Sequence, residues 1–123
     1  MPEAKNPKVV IEAIKTYCEK VIEAHNMFKF SKNDFEKNSI YSSSIAFNVE
    51  QIGEMAKKLP ATFEKEYPEI PWKLIKGIRD VIAHNYGGLD VDSLWETANT
   101  DIPVLLEFCN KYLKRFIKKN PCS

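Results

Sequence analysis

Pro71-Trp72-Lys73-Leu74-Ile75-Lys76-Gly77-Ile78-Arg79-Asp80-Val81-Ile82-Ala83-His84-Asn85-Tyr86 is the stretch that decides the fold. Leu74, Ile75, Ile78, Val81 and Ile82 recur at the spacing of an amphipathic helix and form its core stripe. Pro71 suits the first turn, where a missing N–H leaves no bond unmade, and Gly87-Gly88 end the helix after Tyr86. Arg79 and Tyr86 share one border of the stripe, and Asp80 and His84 share the other. Arg79 and His84 therefore stand roughly 140° apart around the axis. One straight helix presents them poorly to a single phosphate, so either the Gly-Gly end distorts or a second subunit completes the site. Gly77 lies on the His84 border, where a glycine costs about 1 kcal/mol relative to alanine. Two reasons stand equal: close approach of another backbone or a substrate, or a packing accommodation within the bundle.

Working outward, Tyr67 to Trp72 forms the turn that delivers the chain into this helix. Upstream, a helix runs from about Ser39 to Leu59 and stops at Pro60. Its stripe is Ile45, Val49, Ile52, Ala56 and Leu59, with Phe47 nearly opposite as a candidate subunit contact. Glu50 and Glu54 share the outer face and read as solvated, since no histidine accompanies them. Phe30 to Asn38 is a polar connection with a short helical turn after Asp34. The first helix starts with Asn6 as cap and Pro7 as its first residue. Val10, Ile14, Tyr17, Val21, Ala24 and Phe28 make its stripe, and Lys8, Glu12, Lys15 and Glu19 its salt-bridged outer face. His25 reads as an ordinary residue near its end.

Downstream, Asp90 caps a fourth segment with Leu94, Trp95 and Ala98, and Thr100 or Asp101 with Pro103 marks a kink or restart. Leu105, Leu106, Cys109, Tyr112, Leu113 and Phe116 form the last stripe. The expected architecture is all-α: a single domain over residues 1–123, an up-and-down bundle of four to five helices.

Eighteen basic and seventeen acidic residues nearly cancel, which excludes a strongly basic nucleic-acid coat. Lys111, Lys114, Arg115, Lys118 and Lys119 crowd the C-terminal end, mainly as a solvated last turn. No aromatic-rich platform for single strands is legible. Cys18, Cys109 and Cys122 are odd in number and show no zinc spacing, so a reducing compartment and no metal site are expected. The polar N-terminus lacks a signal-peptide core and no run approaches a membrane span, which implies a cytoplasmic protein without a membrane partner.

Arg79 to Tyr86 is an R-x4-H-x-Y motif that resembles that of the HepT-like toxins of the HEPN superfamily. Gln51-Ile52-Gly53-Glu54-Met55-Ala56-Lys57 resembles the family's I-G-E-A segment, and Tyr67–Trp72, Gly77–Tyr86 and Leu94–Thr97 match in order and spacing. The resemblance covers Tyr41 to about Leu113, and Asp80 departs from it by standing where the family more often has Asn.

The resemblance implies a HEPN-type bundle and a toxin–antitoxin ribonuclease that cleaves RNA as a homodimer, without metal or other cofactor. Arg79 and His84 would be catalytic, with Asp80 and Tyr86 supporting them. A minimal nucleotidyltransferase would be the antitoxin, adding AMP to Tyr86. The alternative is a non-catalytic helical partner that positions a nucleotidyltransferase's substrate; an intact Arg79, His84 and Tyr86 favours the enzyme.

Overall fold

A computed structural model describes residues 6–84 and 91–117, with the side chains of all of these except 79–84 and 117. Seven α-helices follow one another: α1 (Pro7–Met27), α2 (Lys32–Lys37), α3 (Ser39–Ala56), α4 (Ala61–Glu66), α5 (Trp72–His84), α6 (Val91–Glu96) and α7 (Ile102–Ile117). A π-helical segment, Thr97–Asp101, joins α6 to α7, and the described residues contain no strand. The expected all-α bundle is thus present. Four long helices carry it and three one-turn helices connect them.

Local chemistry explains most boundaries. The Asn6 carboxamide accepts from the Lys8 N–H at 2.8 Å, which starts α1 with Pro7 as its first residue. Ser31 caps α2 through the Asp34 N–H at 3.1 Å. Asn38 caps α3 by accepting from Ile40 and Tyr41 at 2.9 and 3.3 Å. α3 ends at Ala56, earlier than expected, because Lys58 and Leu59 bond back only three residues, to Met55 and Ala56. Helix α4 was not legible: it is a single turn, too short to show a period.

The kink expected near Pro103 takes a definite form. Pro103 has no N–H to offer, and the Ile102 N–H bonds to the Thr97 carbonyl, five residues back. The helix widens there and then resumes.

Helix α1 is central, packing against α3 on one side and α7 on the other, and α5 lies against α3. Its innermost line is Ile11, Ile14, Cys18, Val21 and His25, whereas Tyr17 and Phe28 are only partly buried. Tyr41 and Phe35 are the largest fully buried side chains. Truncating such a ring to alanine typically costs about 3–5 kcal/mol, so they anchor the core. Leu74 departs from its expected core position: it is 56% exposed, while Ile75 on the same helix is buried. Phe47 is 56% exposed, as its position opposite the α3 stripe requires. None of the described helices is long and apolar enough to cross a membrane.

Candidate active site

Helix α5 carries the motif from Arg79 to His84, and its first turn is firmly held. The Trp72 indole N–H donates to the Tyr67 carbonyl at 2.9 Å, and the Ile75 N–H to the Pro71 carbonyl at 3.0 Å. The Trp72 ring packs on Phe63 of α4 and Phe108 of α7, with centroids 5.8 and 5.7 Å away. Lys76 pairs with Glu64 at 2.7 Å, and both side chains are largely covered, so this bond fastens α5 to α4. Ile75 and Ile78 press on α3 and α7 around a crevice of about 20 Å³, too tight for a ligand. These contacts fix the helix that bears the motif.

Arg79, Asp80 and His84 all lie on α5, which stays α-helical through His84. Their side chains, and the whole of Tyr86 with the Gly87-Gly88 stop and the Asp90 cap, fall outside the described residues. Along the backbone, Arg79 and His84 sit about 7.5 Å apart in rise and roughly 140° apart in rotation. Distortion before His84 is therefore not what brings them together.

Gly77 separates the two readings the sequence left open. A Cβ built there meets nothing within 4 Å, so none of the described residues requires the glycine. That favours close approach from outside the chain.

The other candidates resolve simply. Glu50 and Glu54 are part-buried on α3, and Glu54 pairs with Lys57 at 3.4 Å. Cys18 and Cys109 are buried free thiols. Burial pushes the Cys109 thiol up to about 12 and the Cys18 thiol also strongly upward, which suits neither to nucleophilic work. Among the described residues, no group of three His, Cys, Asp or Glu stands ready to hold a metal ion.

Sequence reasoning missed His25. It is fully buried, its Nδ1 lies 2.6 Å from the Tyr41 hydroxyl, and its ring stacks on Phe30 at 4.6 Å. The Trp95 ring of α6 meets it edge-on at 5.5 Å. A signal existed: His25 continues the series Ile11, Ile14, Cys18, Val21 at helical spacing. Phe30 reaches over it because Lys29 and Phe30 both adopt left-handed φ values, 57° and 55°. Each such residue costs roughly 1–2 kcal/mol, offset here by the stacked ring.

Burial holds the His25 pKa below its ordinary value, although the Ala98 carbonyl acts in the opposite sense. Tyr41 is pushed up by burial and keeps its proton, and its hydroxyl shares a hydrogen bond with Nδ1 whose direction follows the ring's tautomer. The consequence for stability has a definite sign. The folded chain holds a neutral ring, and the unfolded chain binds the proton more readily, so stability falls as pH drops below about 6.5. We expect the wild-type midpoint in urea to fall between about pH 7 and pH 5, and His25→Phe to flatten that dependence while lowering stability at neutral pH. An equal slope in both proteins would show that other groups govern it.

The comparisons with known proteins agree with this architecture. The family model described as "Ribonuclease HepT-like" matches residues 14–112. A "Putative RNase" of Caldanaerobacter subterraneus subsp. tengcongensis is 34% identical over 115 residues, covering 94% of this chain and 97% of that protein. A "Probable ribonuclease HepT" of Thermococcus cleftensis is 35% identical over 96 residues, covering 74% of this chain and 87% of that protein. A Methanocaldococcus jannaschii protein also named as an RNase is 33% identical, covering 82% of this chain and 88% of its own. No solved structure matches. With the family model spanning nearly the whole helical bundle, the chain belongs to the HepT-like ribonuclease family.

Proposed function

We propose that this protein is the ribonuclease toxin of a toxin–antitoxin pair, cleaving RNA without a metal ion at a site shared by two copies of the chain. The observation that carries this reading is the R-x4-H-x-Y motif, whose Arg79 and His84 lie on one well-anchored helix, in a chain of a ribonuclease family. RNA supplies its own nucleophile. His84 takes the proton from the 2′-hydroxyl, and the 2′-oxygen attacks the adjacent phosphorus. The bond from phosphorus to the 5′-oxygen then breaks, and a protonated imidazole, the other copy's His84, gives that oxygen its proton. The products are a 2′,3′-cyclic phosphate and a 5′-hydroxyl. Arg79 holds the phosphate and stabilises charge developing on its oxygens. Asp80, one turn before His84, fixes the imidazole tautomer.

Two features support a shared site. The motif residues diverge around a helix that stays regular, and the same helix carries an exposed Leu74 and a Gly77 with open space before it. A second α5 lying across this face would bring one copy's Arg79 near the other copy's His84. Tyr86, two residues past His84, is the acceptor for AMP from a minimal nucleotidyltransferase antitoxin.

The test is incubation of purified protein with total RNA in excess chelator, with the product ends read by mass spectrometry. We expect cleavage with cyclic phosphate ends. Activity that appears only with magnesium would overturn the mechanism, and no cleavage under any condition would return the chain to the role of a nucleotidyltransferase's helical partner.

A further inference from the structure

The end of the bundle where α5 begins bears a feature that the motif does not use. Phe63, Tyr67, Trp72, Phe108, Tyr112 and Phe116 come from two distant stretches and join in one chain of ring contacts, with centroids 4.9–6.4 Å apart. Phe63 and Trp72 are buried, but the outer members are not: Tyr67 and Tyr112 are half-covered and Phe116 is 41% exposed. Arg115 lies over the Tyr112 ring at 5.4 Å and donates to the Tyr67 hydroxyl. An open cavity of about 410 Å³ is lined by Glu66, Tyr67, Tyr112, Arg115 and Phe116.

The charges here are not all used up among the described residues. Lys8 pairs with Glu12, Lys15 with Glu19 and Lys111 with Glu107, but Lys114 and Arg115 face no carboxylate partner among the described residues. A wide groove of about 870 Å³, whose charged lining is Lys8, Glu12, Lys15 and Lys114, adjoins the cavity through Phe116. Two phenols held in place by a guanidinium, one exposed phenyl ring and a surplus of positive charge match the needs of an unstacked nucleobase with its phosphates. Bases stack on aromatic rings and guanidinium planes, and the backbone follows the cations.

We propose that Tyr67, Tyr112, Arg115 and Phe116 form a subsite for single-stranded RNA, with Lys114 along the adjoining groove taking a phosphate. This rests on the reading that the protein acts on RNA. The subsite stands off the motif, since His84 lies about 18 Å along α5 from Trp72. It therefore holds the strand several nucleotides from the cut and contributes affinity rather than chemistry. Glu66 gives it a preference. A carboxylate accepts from an exocyclic amino group, so cytosine is favoured over uracil, which has none.

The test measures binding apart from cleavage. Fluorescein-labelled 2′-O-methyl oligocytidylate and oligouridylate, about ten nucleotides long, lack the nucleophile and stay intact; anisotropy reports their affinity for the wild-type protein. Arg115→Ala and Phe116→Ser, both at exposed positions, should each weaken oligocytidylate binding on the order of tenfold, while Lys37→Ala on α2 leaves it unchanged. Glu66→Gln should narrow the difference between the two probes. Wild-type affinity in the Arg115 and Phe116 variants, or equal weakening in the Lys37 control, would overturn the subsite, as would the absence of any binding. If wild-type protein cuts no RNA yet the Arg115 effect stands, the subsite survives and the ribonuclease reading falls.

Discussion

His84→Ala and Arg79→Ala are each expected to lower RNA cleavage in chelator on the order of a hundredfold or more, with no comparable loss of fold. The magnitude follows from the reaction. In the proposed reaction, proton removal from the 2′-hydroxyl falls to the imidazole, and general acid–base catalysis alone is worth about a hundred- to ten-thousandfold. Charge developing on the phosphate oxygens falls to the guanidinium, a contribution of similar size. Neither substitution removes the contacts that anchor α5, which come from Trp72, Ile75 and Lys76 in its first turns. Unchanged thermal unfolding should therefore accompany the loss. A site shared by two chains adds a sharper outcome: mixing His84→Ala with wild type should lower activity more than dilution explains, because each mixed dimer has one of the two imidazoles that the shared site needs. A fall no greater than dilution, with mixed dimers present, would rule the composite site out.

Co-expression with an active nucleotidyltransferase is expected to add one or more AMP units to Tyr86 and abolish cleavage. Tyr86 follows His84 by two residues and precedes Gly87-Gly88. An added phosphate on its phenol would compete for the Arg79 guanidinium and occupy the space that RNA must enter. Intact mass reads the modification and the cleavage assay reads its effect. Tyr86→Phe should remain unmodified and active in the same cells. Modification at another residue, or full activity in the modified protein, would refute this account.

The long elements were legible in the sequence because each carries several turns of apolar period and a visible start. Asn6-Pro7 before α1 and Pro71 before α5 stand at or next to the helix starts they suggested, and α3 begins at Ser39 as its stripe implied. The short helices were less so: the turn after Asp34 was half-seen as α2, and α4 has one buried residue, Phe63, and no period at all. Pairing was the other obscured level. His25 looked ordinary because its partners Tyr41 and Trp95 lie 16 and 70 residues away, and only folding brings them to the same ring cluster. For the same reason no aromatic platform could be read: Tyr67 and Tyr112 are distant in sequence and 5.9 Å apart in space. Leu74 shows a subtler limit. Periodicity says that a face is apolar, not what covers it.

The π-helical turn at Thr97–Asp101 determines which insertions and deletions the chain can bear. From Val91 to Ile117 the backbone runs as one continuous helical rod, so a residue gained or lost in its regular α-helical parts turns everything that follows by about 100°. The wide turn is different: it already holds one residue more than an α-helical turn, so deleting one there restores regular bonding and leaves Leu105 and Cys109 facing α1. The same deletion between Phe28 and Ser31 changes only a connection. Length variation among viable descendants of this sequence should therefore gather in the short connections and at this single turn, and spare the rest of the rod.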